Sequence, residues 1–114
     1  MGIVPEIRAF YYAAKAGRHH GKAGKFLKRL DYQGALKHYQ LAYEFYGCLE
    51  DDLGQAVELE CIGRVHYRLN DFFQASQHAE KSLAIYQKYA EKDQNNVFSE
   101  AVSRVENLLV RLQK

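Results

Sequence analysis

Two stretches of this 114-residue chain repeat one pattern forty residues apart, and this repeat limits the folds that are open to the chain. The stretches are "LDYQGALKHYQLAYEFY", residues 30–46, and "NDFFQASQHAEKSLAIY", residues 70–86. Their apolar residues recur every three or four positions, which is the period of a helix and not of a strand. Self-similarity over such a distance is typical of repeat architectures, because one helical unit can bury its apolar face only against its neighbours.

The helical period continues through the rest of the chain and predicts an all-α fold. Pro5 suits the first turn of a first helix, because the N–H that it lacks would have no partner there. Asp31 and Asp71 are predicted N-caps, and Asn70 can adopt the left-handed conformation that ends a helix. The segment 15–25, "KAGRHHGKAGK", leaves open a kink or an interruption in the first helix. We expect a single domain of five helices, at residues 6–29, 31–49, 53–69, 71–90 and 97–113.

The second copy of the repeat, with the helix before it, carries residues that belong to a known pattern. In "LECIGRVHYRLNDFFQASQHAEKSLAIY", Leu59, Ile62 and Gly63 form L-x-x-L-G, His66 and Tyr67 hold aromatic positions, and Ala75 is small. The chain therefore resembles the tetratricopeptide repeat (TPR) family, with two units of a longer type than the usual 34 residues. The resemblance implies a right-handed superhelix of helix-turn-helix units, with residues 97–113 as a capping helix.

The resemblance also implies where a partner would bind. Members of the family bind peptides or helices on a concave surface lined by the first helix of each unit. The matching positions that we expect to form this groove are His20, Lys28, Glu60, Arg64, Tyr67 and Arg68. The three cations Lys28, Arg64 and Arg68 could meet an acidic peptide through charge-assisted hydrogen bonds. The alternative is that these side chains are solvated surface charges without a partner.

Small residues form a stripe along the first helix at Ala13, Gly17 and Gly21. Each helical Gly costs about 1 kcal/mol relative to Ala, so the stripe calls for a structural reason. Self-association of two chains through a close helix approach is one explanation. Packing within the chain and a local loop are the others. Two repeats lie near the minimum for a stable stack, so either the flanking helices or a second chain must complete the core.

The first thirty residues are strongly basic, with seven Lys or Arg and one Glu, whereas the remaining chain has a net charge of −4. A basic helix can contact the phosphates of a nucleic acid, and its aromatic residues are interleaved with the cations. We keep binding of nucleic acid or another polyanion as the less favoured alternative, because no base-reading motif is present. No strong Trp/Leu face opposes the cations, so we expect no membrane-surface role.

The sequence shows no motif of catalysis or metal binding. His19 and His20 are adjacent and point in different directions on a helix, and no histidine stands at a ligand spacing from Cys, Asp or Glu. We therefore expect no enzyme activity, no cofactor and no metal. Cys48 and Cys61 lie in apolar helical patterns and are expected to be buried free thiols of a cytoplasmic protein, with a disulfide as the minor alternative. The predicted function is a non-catalytic protein-interaction module.

Overall fold

The computed structural model describes residue 2 and residues 4–113, and within them the chain is all-helical with no strand. The five helices are α1 (Pro5–Lys28), α2 (Tyr32–Cys48), α3 (Asp52–Arg68), α4 (Phe72–Ala90) and α5 (Ser99–Leu112). The all-α fold class with five helices is thus confirmed. The segment 15–25 is helical throughout, so the local-loop explanation of the glycine stripe is wrong.

Three tight turns, between α1 and α2, α2 and α3, and α3 and α4, are built in the same way. Each places one residue in the left-handed region, with φ of 62° at Leu30, 55° at Glu50 and 61° at Asn70. In each turn the following residue is an aspartate whose amide donates to the carbonyl five residues back. The carboxylates of these aspartates cap the next helix, in the pairs Asp31/Gly34, Asp51/Gly54 and Asp71/Gln74. The structural repeat of the turn is therefore twenty residues.

The connection between α4 and α5 is longer and differs from these turns. The carboxylate of Asp93 accepts hydrogen bonds from the amides of Asn95 and Phe98, at 3.0 and 2.9 Å. Asn96 adopts a φ of 57°, in the left-handed region, which a right-handed α-helix does not accommodate. These contacts delay the start of α5 to Ser99, whereas the sequence pattern predicted a start at residue 97.

The residues group into two compact units, 1–58 and 59–114, and the boundary falls inside α3. In the first unit, α1 packs on α2 through small side chains. Ala16 and Ala23 of α1 and Ala35 and Ala42 of α2 are fully buried, which lets the two backbones approach closely. The prediction that the chain forms one domain stays a prediction.

A row of rings fills the remaining space between α1 and α2. His38 lies between Phe26 and His19, with ring centroids 5.2 Å from each, and His19 lies 5.7 Å from Phe45. The Nδ1 atoms of His19 and His38 are 3.0 Å apart in stacked, nearly parallel rings, so one imidazole donates an N–H to the other. These histidines therefore serve as packing residues that also satisfy each other's polar atoms.

In the second unit, the C-terminal half of α3 packs on α4 and α5. Gly63 makes room for α4, because a Cβ there would lie 3.2 Å from the carbonyl oxygen of Ala75. His66 and His78 form a ring pair with centroids 5.4 Å apart, at positions forty residues after Phe26 and His38. The apolar face of α5, with Ala101, Val105 and Leu108, is buried.

Candidate functional site

A groove in the second unit is lined by side chains of α3 and α5. The lining residues of α3 are three or four positions apart, and so are those of α5, so the lining residues of each helix lie on one face of it. One cavity, of about 230 Å³, is lined by Arg64, Tyr67, Arg68, Leu108 and Arg111. We call this cavity, together with Arg104 on the same face of α5, the α3–α5 groove. Its charged lining is mostly cationic.

A buried carboxylate organises one end of this groove. Glu60 of α3 is 6% exposed and accepts hydrogen bonds from three different side chains. Arg104 of α5 donates from Nε at 2.9 Å and from Nη2 at 3.1 Å, and Arg64 donates from Nη2 at 3.1 Å. The hydroxyl of Tyr86 on α4 adds a bond of 3.1 Å. Glu60 therefore ties α3, α4 and α5 together and fixes two of the guanidinium groups.

The ionised form of Glu60 is favoured despite burial. Burial works to raise the pKa of this carboxyl, but the hydrogen bonds and charge of Arg104, with further hydrogen bonds from Tyr86 and Arg64, hold the pKa below its ordinary value. The pKa of Tyr86 is raised by burial and by the neighbouring Glu60, so its hydroxyl stays a donor. The network therefore has one carboxylate and two guanidinium groups at neutral pH.

The other end of the groove holds two arginines that are not neutralised. Arg68 and Arg111 line the same cavity from α3 and α5, and both are exposed. Within the described residues, neither has a carboxylate at salt-bridge distance, whereas Arg64 and Arg104 both contact Glu60. The positive charge that a ligand would meet is therefore concentrated on these two side chains.

An apolar depression adjoins the groove at Tyr67 and Arg111. It measures about 310 Å³ and is lined by Tyr67, Phe72, Arg111 and Leu112. Tyr67 and Arg111 also line the groove, so the two spaces are contiguous. Phe72 is 48% exposed although its ring centroid lies 5.8 Å from that of Tyr67. A large aromatic surface thus remains open beside the cations.

The structure brings together three of the residues that the sequence pattern selected, namely Arg64, Tyr67 and Arg68. Glu60 belongs to the same face but is buried beneath the arginines. Arg104 was not selected, although it stands forty residues after Arg64 and could have been found by extending the repeat. The repeat does not indicate Arg111, because its position in the groove depends on how α5 packs.

Two further selected residues, His20 and Lys28, lie in the first unit. The Nδ1 of His20 lies 2.8 and 2.9 Å from the two oxygens of Glu58, a carboxyl that is 1% exposed. Burial raises the pKa of Glu58, and the hydrogen bond and charge of His20 counteract part of this rise. His20 is thus the partner of a buried carboxyl. Lys28 is exposed at the last residue of α1.

The small-residue stripe of α1 lies on its exposed surface. Ala13, Gly17 and Gly21 are all exposed, and a Cβ added at either glycine would meet nothing within 4 Å. Packing within the chain, one of the explanations of the stripe, is therefore wrong for the described residues. Ile7 and Phe10 precede the stripe and are 60% and 76% exposed.

A second face of α1 carries a row of cations. They recur every three or four residues and so share one side of the helix, over about 21 Å. The row consists of Lys15, Arg18, Lys22, Lys25 and Arg29. Four of the five are exposed, and the structure shows no salt bridge to any of them among the residues it describes.

The remaining candidate chemistry is limited. Among residues 2 and 4–113, no three His, Cys, Asp or Glu side chains converge as a metal-binding group. Cys48 and Cys61 are free thiols; Cys48 is exposed at the last residue of α2, so its predicted burial is wrong. None of the described helices combines the length and the apolar character that crossing a membrane requires.

Comparison with known proteins adds no relative. The chain matches no protein-family model, and neither the curated proteins nor the solved structures contain a significant match to it.

Proposed function

We propose that this protein is a non-catalytic interaction module of the tetratricopeptide type, which binds an acidic peptide or helix in the α3–α5 groove. The observation that carries the proposal is the pair of unpaired guanidinium groups, Arg68 and Arg111, in one cavity. Guanidinium groups bind carboxylates through charge-assisted, often bidentate, hydrogen bonds. The free thiols agree with an adaptor or scaffold in the reducing cytoplasm.

Glu60 makes the groove ready for a ligand. Because Arg64 and Arg104 are held by this carboxylate, the walls of the groove are already ordered when a partner arrives, and less side-chain entropy is lost on binding. Arg68 and Arg111 remain available at the other end. The arrangement favours a ligand with one or two carboxylates over a highly charged polymer.

The test is the binding of a labelled octapeptide with two Glu among Ser residues, measured by fluorescence anisotropy at low salt. The double variant Arg68→Glu/Arg111→Glu replaces two attractive contacts by repulsive ones. An exposed ion pair contributes up to about 1 kcal/mol, so we expect binding to weaken by about tenfold or more. The control Lys81→Glu/Lys92→Glu changes the charge of the same unit equally at exposed positions outside the groove. Equal weakening in both variants would contradict the proposal.

Self-association through α1 is a further part of the proposal. Its support is the exposed stripe Ala13, Gly17, Gly21, which follows the exposed Ile7 and Phe10 on the same helix. The expected particle in light scattering at micromolar concentration is a dimer, and Gly17→Leu should dissociate it by blocking the close approach. The control Gln40→Leu, at an exposed position of α2, should have no effect. A particle of 13.2 kDa alone would show that the chain is a monomer.

Binding of nucleic acid is the second candidate function, supported by the row of cations on α1. Five cations along about 21 Å of helix can contact several successive phosphates, and such binding weakens steeply with salt. Gel shifts with RNA and DNA at low salt should then show a complex that Arg18→Glu/Lys22→Glu abolishes. Free nucleic acid at every protein concentration would remove this candidate.

A further inference from the structure

We infer that the α3–α5 groove selects a composite motif, an acidic residue next to a large apolar side chain, in a protein partner. This inference rests on the proposed function and specifies its ligand. The carboxylate would bind Arg68 and Arg111, and the apolar side chain would enter the depression formed by Tyr67, Phe72 and Leu112.

The position of the ligand's acidic residue follows from which arginines of the groove already contact a carboxylate of the protein. Arg64 and Arg104 already share the carboxylate of Glu60, with N–O distances of 2.9 to 3.3 Å. A ligand carboxylate that drew these arginines away would leave Glu60 buried without its two cationic partners, which is costly. The ligand carboxylate is therefore directed to Arg68 and Arg111.

The position of the apolar side chain follows from the shared lining of the two spaces. Arg111 and Tyr67 line both the groove and the apolar depression, so a group bound to Arg111 lies next to that depression. Phe72 is half exposed there and would lose contact with water when a ligand side chain packs on it. Burial of apolar surface is favourable in proportion to its area, so the depression rewards a large apolar residue.

The same features favour a protein partner over a single-stranded nucleic acid. In the part of the chain that the structure describes, two arginines without a carboxylate partner line this cavity, whereas a nucleic acid presents a phosphate at every nucleotide. The carboxylate of Glu60 offsets part of the positive charge of Arg64 and Arg104, which leaves less of it to attract a longer polyanion.

The experiment compares three labelled nonapeptides with blocked ends. The first contains two Glu and one Phe, the second has Ser in place of the Phe, and the third has Gln in place of both Glu. We expect the first to bind about tenfold more tightly than either of the others, which corresponds to about 1.4 kcal/mol. The variant Phe72→Ser should abolish the advantage of the first peptide over the second and leave the second peptide unchanged.

The control variant is Phe73→Ser, because Phe73 is 67% exposed on the same helix but does not line the depression. Thermal melts establish that both variants fold, and Leu112→Ser provides an independent change in the same depression. Equal binding of the first two peptides would overturn the composite motif and leave the proposed function intact. Binding of none of the peptides would overturn both. Binding of oligothymidylate that Phe72→Ser removes would assign the site to nucleic acid instead.

Discussion

The hydroxyl of Tyr86 offers a direct test of the network that organises the groove. It donates to Glu60 at 3.1 Å, and both side chains are buried. The change Tyr86→Phe removes this donor and leaves the ring in place. Because Glu60 keeps its hydrogen bonds from Arg64 and Arg104, the carboxylate remains partnered, and the effect should report the loss of the Tyr86 hydroxyl alone.

The magnitude follows from the charge of the acceptor. A hydrogen bond to a charged group contributes about 1.5–3 kcal/mol, so we expect the free energy of unfolding to fall by about 2 kcal/mol. The entropy of unfolding averages about 2.1 cal/mol/K per residue, or about 0.24 kcal/mol/K for a chain of 114 residues. The melting temperature should therefore fall by about 8 °C.

Urea titration and thermal melting followed by circular dichroism measure both quantities. The matched control is Tyr11→Phe, because the Tyr11 side chain is half exposed and its hydroxyl can bind water. We expect the control to change the free energy of unfolding by less than about 0.5 kcal/mol. If Tyr86→Phe costs no more than Tyr11→Phe, the hydroxyl does not hold Glu60 in solution and the proposed order of the groove fails.

Three further expectations concern the first unit. Leu30→Gly should be more stable to urea than Leu30→Ala by about 1 kcal/mol, because a Cβ is strained at a φ of 62°; equal stability would show that the turn relaxes. At position 17, by contrast, Ala should be better than Gly: Gly17→Ala should raise the free energy of unfolding by about 1 kcal/mol in the same assay, since the added Cβ is unobstructed. A lower free energy of unfolding in the monomer would contradict the exposure of the stripe. Burial and the charges of His38 and Lys22 lower the pKa of His19, and burial and the charge of Lys22 lower the pKa of His38. Because both histidines bind protons more readily in the unfolded chain, the free energy of unfolding should fall as the pH drops below about 6.5. The fall in urea midpoint between pH 7.5 and 5.5 should be smaller in His38→Gln, and an unchanged fall would refute this origin.

Local patterns were sufficient to predict the helices. The helical period of the apolar residues and the capping aspartates Asp31 and Asp71 place each predicted helix end within two residues of its position in the structure. A repeat of forty residues does not indicate the third capping aspartate, Asp51, because the turn recurs every twenty. Leu30 was not expected in the left-handed region, since a side chain there is strained and only the surrounding turn imposes it.

The groove could be predicted on α3, and its Arg104 by extending the repeat, but not at Arg111. Arg64 and Arg68 lie on one helix face, which sequence spacing alone determines. The contribution of Arg111 depends on the packing of α5 against its neighbours, which the period of one helix does not specify. The burial of Glu60 was likewise hidden, because a carboxylate becomes a structural residue only when groups from other helices, here Arg104 and Tyr86, surround it.

The twenty-residue turn has a consequence for the way the chain folds. The hydrogen bonds that build it, such as that from the amide of Asp51 to the carbonyl of Tyr46, join residues no more than five positions apart. Such contacts close short loops, which costs little chain entropy. Helical proteins dominated by local contacts fold within microseconds to milliseconds. The chain can therefore reverse its direction at three places before any distant helices meet, and a rapid, single-exponential refolding phase is the expected signature.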